Sequence, residues 1–335
     1  MIPKVYFHSG FWKSINSNTT REGIRTMLNV SDVLSNSIVV TDATEELIIQ
    51  DPFLMIMIRQ GKYIRCDDKY IDKKLDSLRT EENTEDLCAT YLLNKKSEEC
   101  DRIEKKYGVV ALCSESLPNK NYLFKGDGFC MDKAHRYNQR YLTYKEVLRK
   151  PCNSMIIIDP YILYKKPLKD IKTQTITIPG ISYNLESLLD AILPHELIIK
   201  FHLTIISCLE NPKDIKTVYE KLKKCVKRIR PELDVALGLI YTETGYHFSV
   251  ESFHSRHILT NSFIVDSEDG LDLFNEKGFL TKNNPTVSIV FPRLFGNSRQ
   301  DFSKYEKWIK SVQVHVGDSK TIYGSKENRL FDLVK

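Results

Sequence analysis

The chain has 335 residues, 41% of them hydrophobic and 28% charged, with a formal charge of +5. That length suits two ordinary domains better than one, and the composition is globular, which excludes a disordered or fibrous chain. So small a charge does not by itself make a nucleic-acid binder; any basic surface must be local.

In chain order, Ser37–Val40 and Glu46–Ile49 read as short strands. From Asp67 to Lys106 about half the residues are charged, with Leu75, Leu78, Leu87, Tyr91 and Leu92 between them, a pattern that predicts solvated helices packed by one apolar stripe. Val109–Cys113 follows Gly108 and reads as a strand. The polar, irregular stretch from 115 to 150 reads as a connection. It divides the chain into an N-terminal α/β domain, residues 1–148, to which no chemistry is assigned, and a second domain, residues 149–335.

The second domain is more regular. Met155 to Leu163 holds an apolar run suited to a strand buried on both faces. Asn184 to Leu193 reads as a helix, with Asn184 as its N-cap and Pro194 beyond its end. Leu197–Ile206 reads as another buried strand. Asn211-Pro212-Lys213-Asp214 opens a helix with Val218, Leu222, Cys225, Val226 and Ile229 on one face. Six of the ten residues from Lys221 to Arg230 are basic. Lys223, Lys224, Lys227 and Arg228 are therefore candidates for contact with phosphate, nucleic acid or acidic lipid, against the plainer reading of a solvated helix face. Val235–Tyr241 reads as a strand, Tyr246–Val265 as one or two strands around His254, and Thr286–Phe291 as another. Phe302, Tyr305, Trp308, Ile309 and Val312 give Asp301–Val314 a helical period. Strands alternating with helices predict an α/β fold, a mixed sheet flanked by helices.

No run approaches the roughly 18 apolar residues of a membrane span, and Met1 to Tyr6 lack a secretory apolar stretch. The 8 cysteines form no Cys-x-x-Cys pair and no Cys/His set at zinc spacing. Reduced thiols and a cytoplasmic location are expected, with no metal. No P-loop, dinucleotide fingerprint, nucleophile elbow or His-Glu-x-x-His motif is present, so no cofactor is expected.

The chemistry-bearing stretch is Ser252 to Phe274. If it is extended, its period of two puts His254 and Arg256 on one face, where an imidazole and a guanidinium converge on one anion. A histidine can attack phosphorus or protonate a leaving oxygen, while a fixed cation stabilises the non-bridging oxygens. His247 and His257 flank the pair with nothing to distinguish them from ordinary strand residues. Asp159 before Pro160 reads as a strand-end turn, and Tyr161 and Trp308 read as packing groups.

His254, Arg256 and Asn261 have the spacing of the phospholipase D signature, His-x-Lys-(x)4-Asp, with Arg for Lys and Asn for Asp. With the preceding Asp159-Pro160-Tyr161 strand end, the chain from about 150 to 335 resembles that superfamily. It is particularly similar to the degenerate His-x-Arg form in the C-terminal domain of some microtubule-interacting-and-trafficking proteins. The resemblance implies a phospholipase D-like fold and names His254, Arg256 and Asn261 as candidate catalytic residues. Active members face two motifs against each other. Of the 8 histidines, only His254 has a basic residue two positions on. The resemblance therefore implies either a homodimer pairing two copies of His254, acting as a metal-independent phosphodiesterase or nuclease, or a non-catalytic module. Such a module would bind nucleic acid, acidic membrane or a protein partner. Arg256 favours bidentate anion binding. Asn261 cannot stabilise an imidazolium by charge; Asp266, Glu268, Asp269 and Asp272 are the alternative carboxylates, or a surface turn.

Overall fold

The computed structural model describes residues 3–17, 20–55, 62–117, 120, 129–131, 150–163, 181, 183–209, 214–243, 256–267, 271, 287–290, 299–317 and 322–334. The N-terminal unit runs β1 (Lys4–Phe7), α1 (Ser9–Asn16), α2 (Arg21–Ser35), β2 (Ile38–Thr41), α3 (Glu45–Gln50), β3 (Lys62–Arg65), α4 (Tyr70–Ser77), α5 (Thr84–Leu87), β4 (Thr90–Leu92), α6 (Ser97–Tyr107) and β5 (Val110–Leu112). Its five strands pair in the order β3-β2-β1-β4-β5, and every pairing is parallel. Parallel neighbours need crossovers, and the helices between them supply these and cover the sheet. Tyr6 and Tyr91, partners in the β1–β4 register, stack with ring centroids 4.9 Å apart. The Tyr6 hydroxyl donates to the buried Asp86 carboxylate, which also takes Lys4 and Lys74.

Two expectations for this half need correction. Glu45–Gln50 is a helix, not a strand; the Thr44 side chain accepts from the Leu47 N–H, and Glu45 and Glu46 fall in the positively polarised first turn. Within 67–106, Tyr91 and Leu92 belong to no helical stripe. They lie in β4, wholly buried between β1 and β5.

The second unit runs β6 (Phe129–Met131), β7 (Ser154–Ile158), α7 (Tyr183–Ile192), β8 (Phe201–Leu209), α8 (Ile215–Ile229), β9 (Val235–Glu243), β10 (Arg256–Thr260), β11 (Ile264–Ser267), β12 (Val287–Val290), α9 (Arg299–Gly317), β13 (Ile322–Gly324) and α10 (Arg329–Asp332). The strand order is β13-β9-β8-β7-β10-β11-β12-β6. β7, β8 and β9 are parallel, and the flanking pairs are antiparallel. The result is an α/β unit with a mixed sheet flanked by helices. Side-chain alternation sends Ile157, Leu203 and Ile205 to the core shared with Leu188 of α7 and Leu222 of α8. Ile156, Ile158 and Ile206 go to the other face, under Tyr305, Ile309 and Val312 of α9 and Phe331 of α10. β6 precedes position 148 in sequence yet pairs with β12 in this second sheet.

Some boundaries differ from expectation. Asn184 does not cap α7: the helix already includes Tyr183, and the Asn184 amide donates to the Leu271 carbonyl at 2.7 Å. The strand expected from Leu197 starts at Phe201, where pairing with β9 begins. Among the described residues, no helix is long and apolar enough to cross a membrane.

The two units meet at Gly108, the C-cap of α6, at φ +60°, a left-handed conformation that glycine adopts without penalty. A Cβ there would stand 2.3 Å from the Cys152 carbonyl oxygen, so only glycine allows this close approach. Asn153 donates to the Leu87 and Tyr107 carbonyls at 2.7 and 2.9 Å. Nearby, the buried Arg329 guanidinium donates to the Asn153 and Lys200 carbonyls and pairs with Glu81.

Candidate functional site

The site to be tested lies where β7 ends and β10 begins. Both are central strands, and β10 runs antiparallel to β7 with His257 opposite Ile158. Arg256 is therefore placed beside the turn that follows β7. That turn is held by Asp159: one carboxylate oxygen accepts from the Tyr161 N–H at 2.8 Å, the other from the Leu271 N–H at 3.1 Å. Asp159 is a strand-end turn residue, as the Asp-Pro sequence suggested. The turn presents Tyr161 outward, 62% exposed. The Arg256 guanidinium carbon lies over this ring, 5.6 Å from its centroid, a cation–π arrangement that orients a planar donor fork. Tyr161 is thus a partner of Arg256 and not a packing group.

His254 lies outside the described residues. Asn261, expected as the third signature position, has a structural occupation. It is 2% exposed, in the turn between β10 and β11. Its side-chain oxygen accepts from the Asn153 N–H at 2.8 Å and its amide donates to the Gly108 carbonyl at 2.9 Å. The amide nitrogen therefore ties this turn to the N-terminal unit, while the oxygen holds Asn153 within the C-terminal one.

The basic helix is not brought to Arg256. α8 leaves from the carboxyl end of β8 and returns to the amino end of β9, so its last turn sits at the opposite edge of the sheet. Lys227 folds back on the Pro231 and Leu233 carbonyls, where it complements the helix dipole. Arg228 pairs with Glu186 of α7 at 2.7 Å. Lys223 and Lys224 remain exposed on the solvent face.

One constellation escaped the sequence reading. His257, 2% exposed, stacks on Trp308 at 3.9 Å between centroids, with its Nδ1 3.2 Å from the Asp266 carboxylate. Alternation places it on the face opposite Arg256, so it does not join the same anion site. A hairpin centred on Asn261–Ser262 would have revealed it, because that register pairs His257 with Asp266. A cleft of about 530 Å³ lies at the amino edge of β8, near Lys200, His202 and Arg329. Burial, with Arg329 and Lys200 adding to it, pushes His202 down to about 4. Arg329 and Glu81 neutralise each other there, which makes the cleft a polar seam between the units. Among the described residues, no group of His, Cys, Asp and Glu is arranged to hold a metal ion. No protein-family model matches the chain, and no curated protein matches it.

Proposed function

We propose that the C-terminal unit recognises a nucleic-acid phosphodiester at the carboxyl edge of β7, with Arg256 as the anion-contacting residue. The observation that supports this most is the Arg256 guanidinium held over the exposed ring of Tyr161. A phosphate oxygen takes the guanidinium fork, and the open aromatic face suits a base beside it. His254, which lies outside the described residues, remains the sequence's candidate nucleophile or acid. The structural occupation of Asn261 favours recognition without hydrolysis, since the third signature position offers no carboxylate to an imidazole.

The test is fluorescence anisotropy with a labelled single-stranded oligonucleotide across a salt series. Arg256→Ala is expected to weaken binding about tenfold and flatten the salt slope. Tyr161→Ala should cost about 1–3 kcal/mol, a base stack. Unchanged affinity in Arg256→Ala overturns the proposal. The hydrolytic form predicts a dimer by mass and cleavage in chelator that His254→Ala abolishes; cleavage persisting in that variant removes His254 from the chemistry.

A further inference from the structure

The N-terminal sheet carries a site of its own. In the order β3-β2-β1-β4-β5, the connections leave β1 in one direction and β4 in the other, so the order reverses between β1 and β4. In doubly wound parallel sheets this switch point opens a crevice at the carboxyl ends of the strands, where ligands bind. The residue at that end of β1 is His8, 7% exposed. Its Nδ1 accepts from the Asn94 N–H, just past β4, at 3.3 Å, so the ring bridges the ends of the two switch-point strands. With Nδ1 an acceptor, a neutral imidazole carries its proton on Nε2. Burial lowers the His8 pKa despite the opposing pull of Asp42 and Asp72, which keeps the ring neutral. Nε2 is buried with no hydrogen-bond partner, and a buried donor without an acceptor is costly unless a ligand supplies one.

The neighbouring groups narrow the ligand. Asp42, just past β2, accepts the Ser9 N–H at the start of α1 at 2.5 Å through one carboxylate oxygen. The first turn of α1 contains no acid of its own, and its N-cap residue His8 makes no side-chain bond to it, which leaves the N–H groups beyond Ser9 without a side-chain cap from the helix itself. Gly10 in that turn leaves no space for a Cβ against Asn94, which keeps the turn close to β4. Lys95 follows Asn94 in the chain and pairs with Asp72 at 2.7 Å. A donor and a carboxylate together suit a hydroxyl, which accepts from one and donates to the other. A helix N-terminus and a lysine beside them suit a phosphate.

We propose that the carboxyl edge of the N-terminal sheet binds a ribonucleotide, with a ribose hydroxyl between His8 and Asp42 and the phosphate toward the first turn of α1. This site is separate from Arg256 and does not depend on the phosphodiester reading. The experiment is titration calorimetry of the full chain with ATP, AMP, 2′-deoxy-ATP and ribose 5-phosphate. ATP and AMP are expected to bind, with 2′-deoxy-ATP weaker by about tenfold, because a site built to pair a hydroxyl rejects the analogue lacking it. Asp42→Asn keeps an acceptor for the Ser9 N–H and replaces the free carboxylate oxygen; it should lose about the same factor at an unchanged melting temperature. Absence of ATP and AMP binding at millimolar concentration overturns the proposal. So does equal affinity for the deoxy analogue, a comparison that needs no variant. Ribose 5-phosphate binding as tightly as AMP would reassign the site to a sugar phosphate.

Discussion

The two sheets differ in what they bury at their centres. In the C-terminal sheet, β7 is Ser154-Met155-Ile156-Ile157-Ile158, buried throughout, and both faces are covered by aliphatic side chains from four helices. In the N-terminal sheet the strands are three or four residues long, and the β1–β4 pair buries two tyrosines whose hydroxyls both end on Asp86: Tyr6 on its carboxylate, Tyr91 on its carbonyl. Both sheets bury apolar area, but the N-terminal one adds at its centre a polar cluster whose atoms must each be satisfied.

The sharpest way to break that contrast is at Asp86, which is 2% exposed and bound by Lys4 at 2.8 Å, Lys74 at 3.1 Å and Tyr6. Asp86→Ala should cost about 3 kcal/mol in denaturant melts, since it strands two lysines and a buried hydroxyl. Ile157→Val in the aliphatic sheet should cost only about 1 kcal/mol. Burial works against ionisation of Asp86, but the hydrogen bonds from Lys4, Tyr6 and Lys74 outweigh it and lower its pKa. A lowered folded pKa contributes stability above the unfolded value of about 4, and that contribution is lost as the pH falls through the folded value. The gap between wild type and Asp86→Ala should therefore close below about pH 4. A gap that is constant with pH would show that the carboxylate's charge plays no part.

A second comparison concerns the joint between the units. If Asn261 were a weakened catalytic aspartate, Asn261→Asp would restore activity. The geometry predicts a loss of stability instead, about 2 kcal/mol, because a carboxylate would face the Gly108 carbonyl where an amide now donates at 2.9 Å. Chemical melts and a cleavage assay on the one variant separate the two outcomes. The same residue shows why the sequence was only partly readable. A three-residue spacing picks out His254, Arg256 and Asn261, but it is blind to a contact 153 positions away in the chain. Long aliphatic runs such as Ile156–Ile158 declare a two-sided strand from composition alone. Lys4–Phe7 and Thr90–Leu92 carry no such signal, since they are only four and three residues long and each opens on a polar residue. His257 was overlooked for a related reason: its partner Asp266 becomes its neighbour only through the hairpin register.

The smallest effect belongs to α3, where a local signal in the sequence was outweighed by an apolar pattern. Glu46-Leu47-Ile48-Ile49 has the composition of a strand, but Thr44 precedes it with a hydroxyl that takes the Leu47 N–H, and two glutamates follow at the positive end of the helix dipole. Only Ile48 of the apolar group is fully buried, while Ile49 is 56% exposed. Neither a buried nor a half-buried strand leaves that pattern; one turn and a half of helix does. Thr44→Ala should cost about 1 kcal/mol, and Thr44→Ser should restore most of it. If α3 were instead held by packing of Ile48 alone, both variants would melt with wild type, and the cap would have no energetic part in choosing helix over strand.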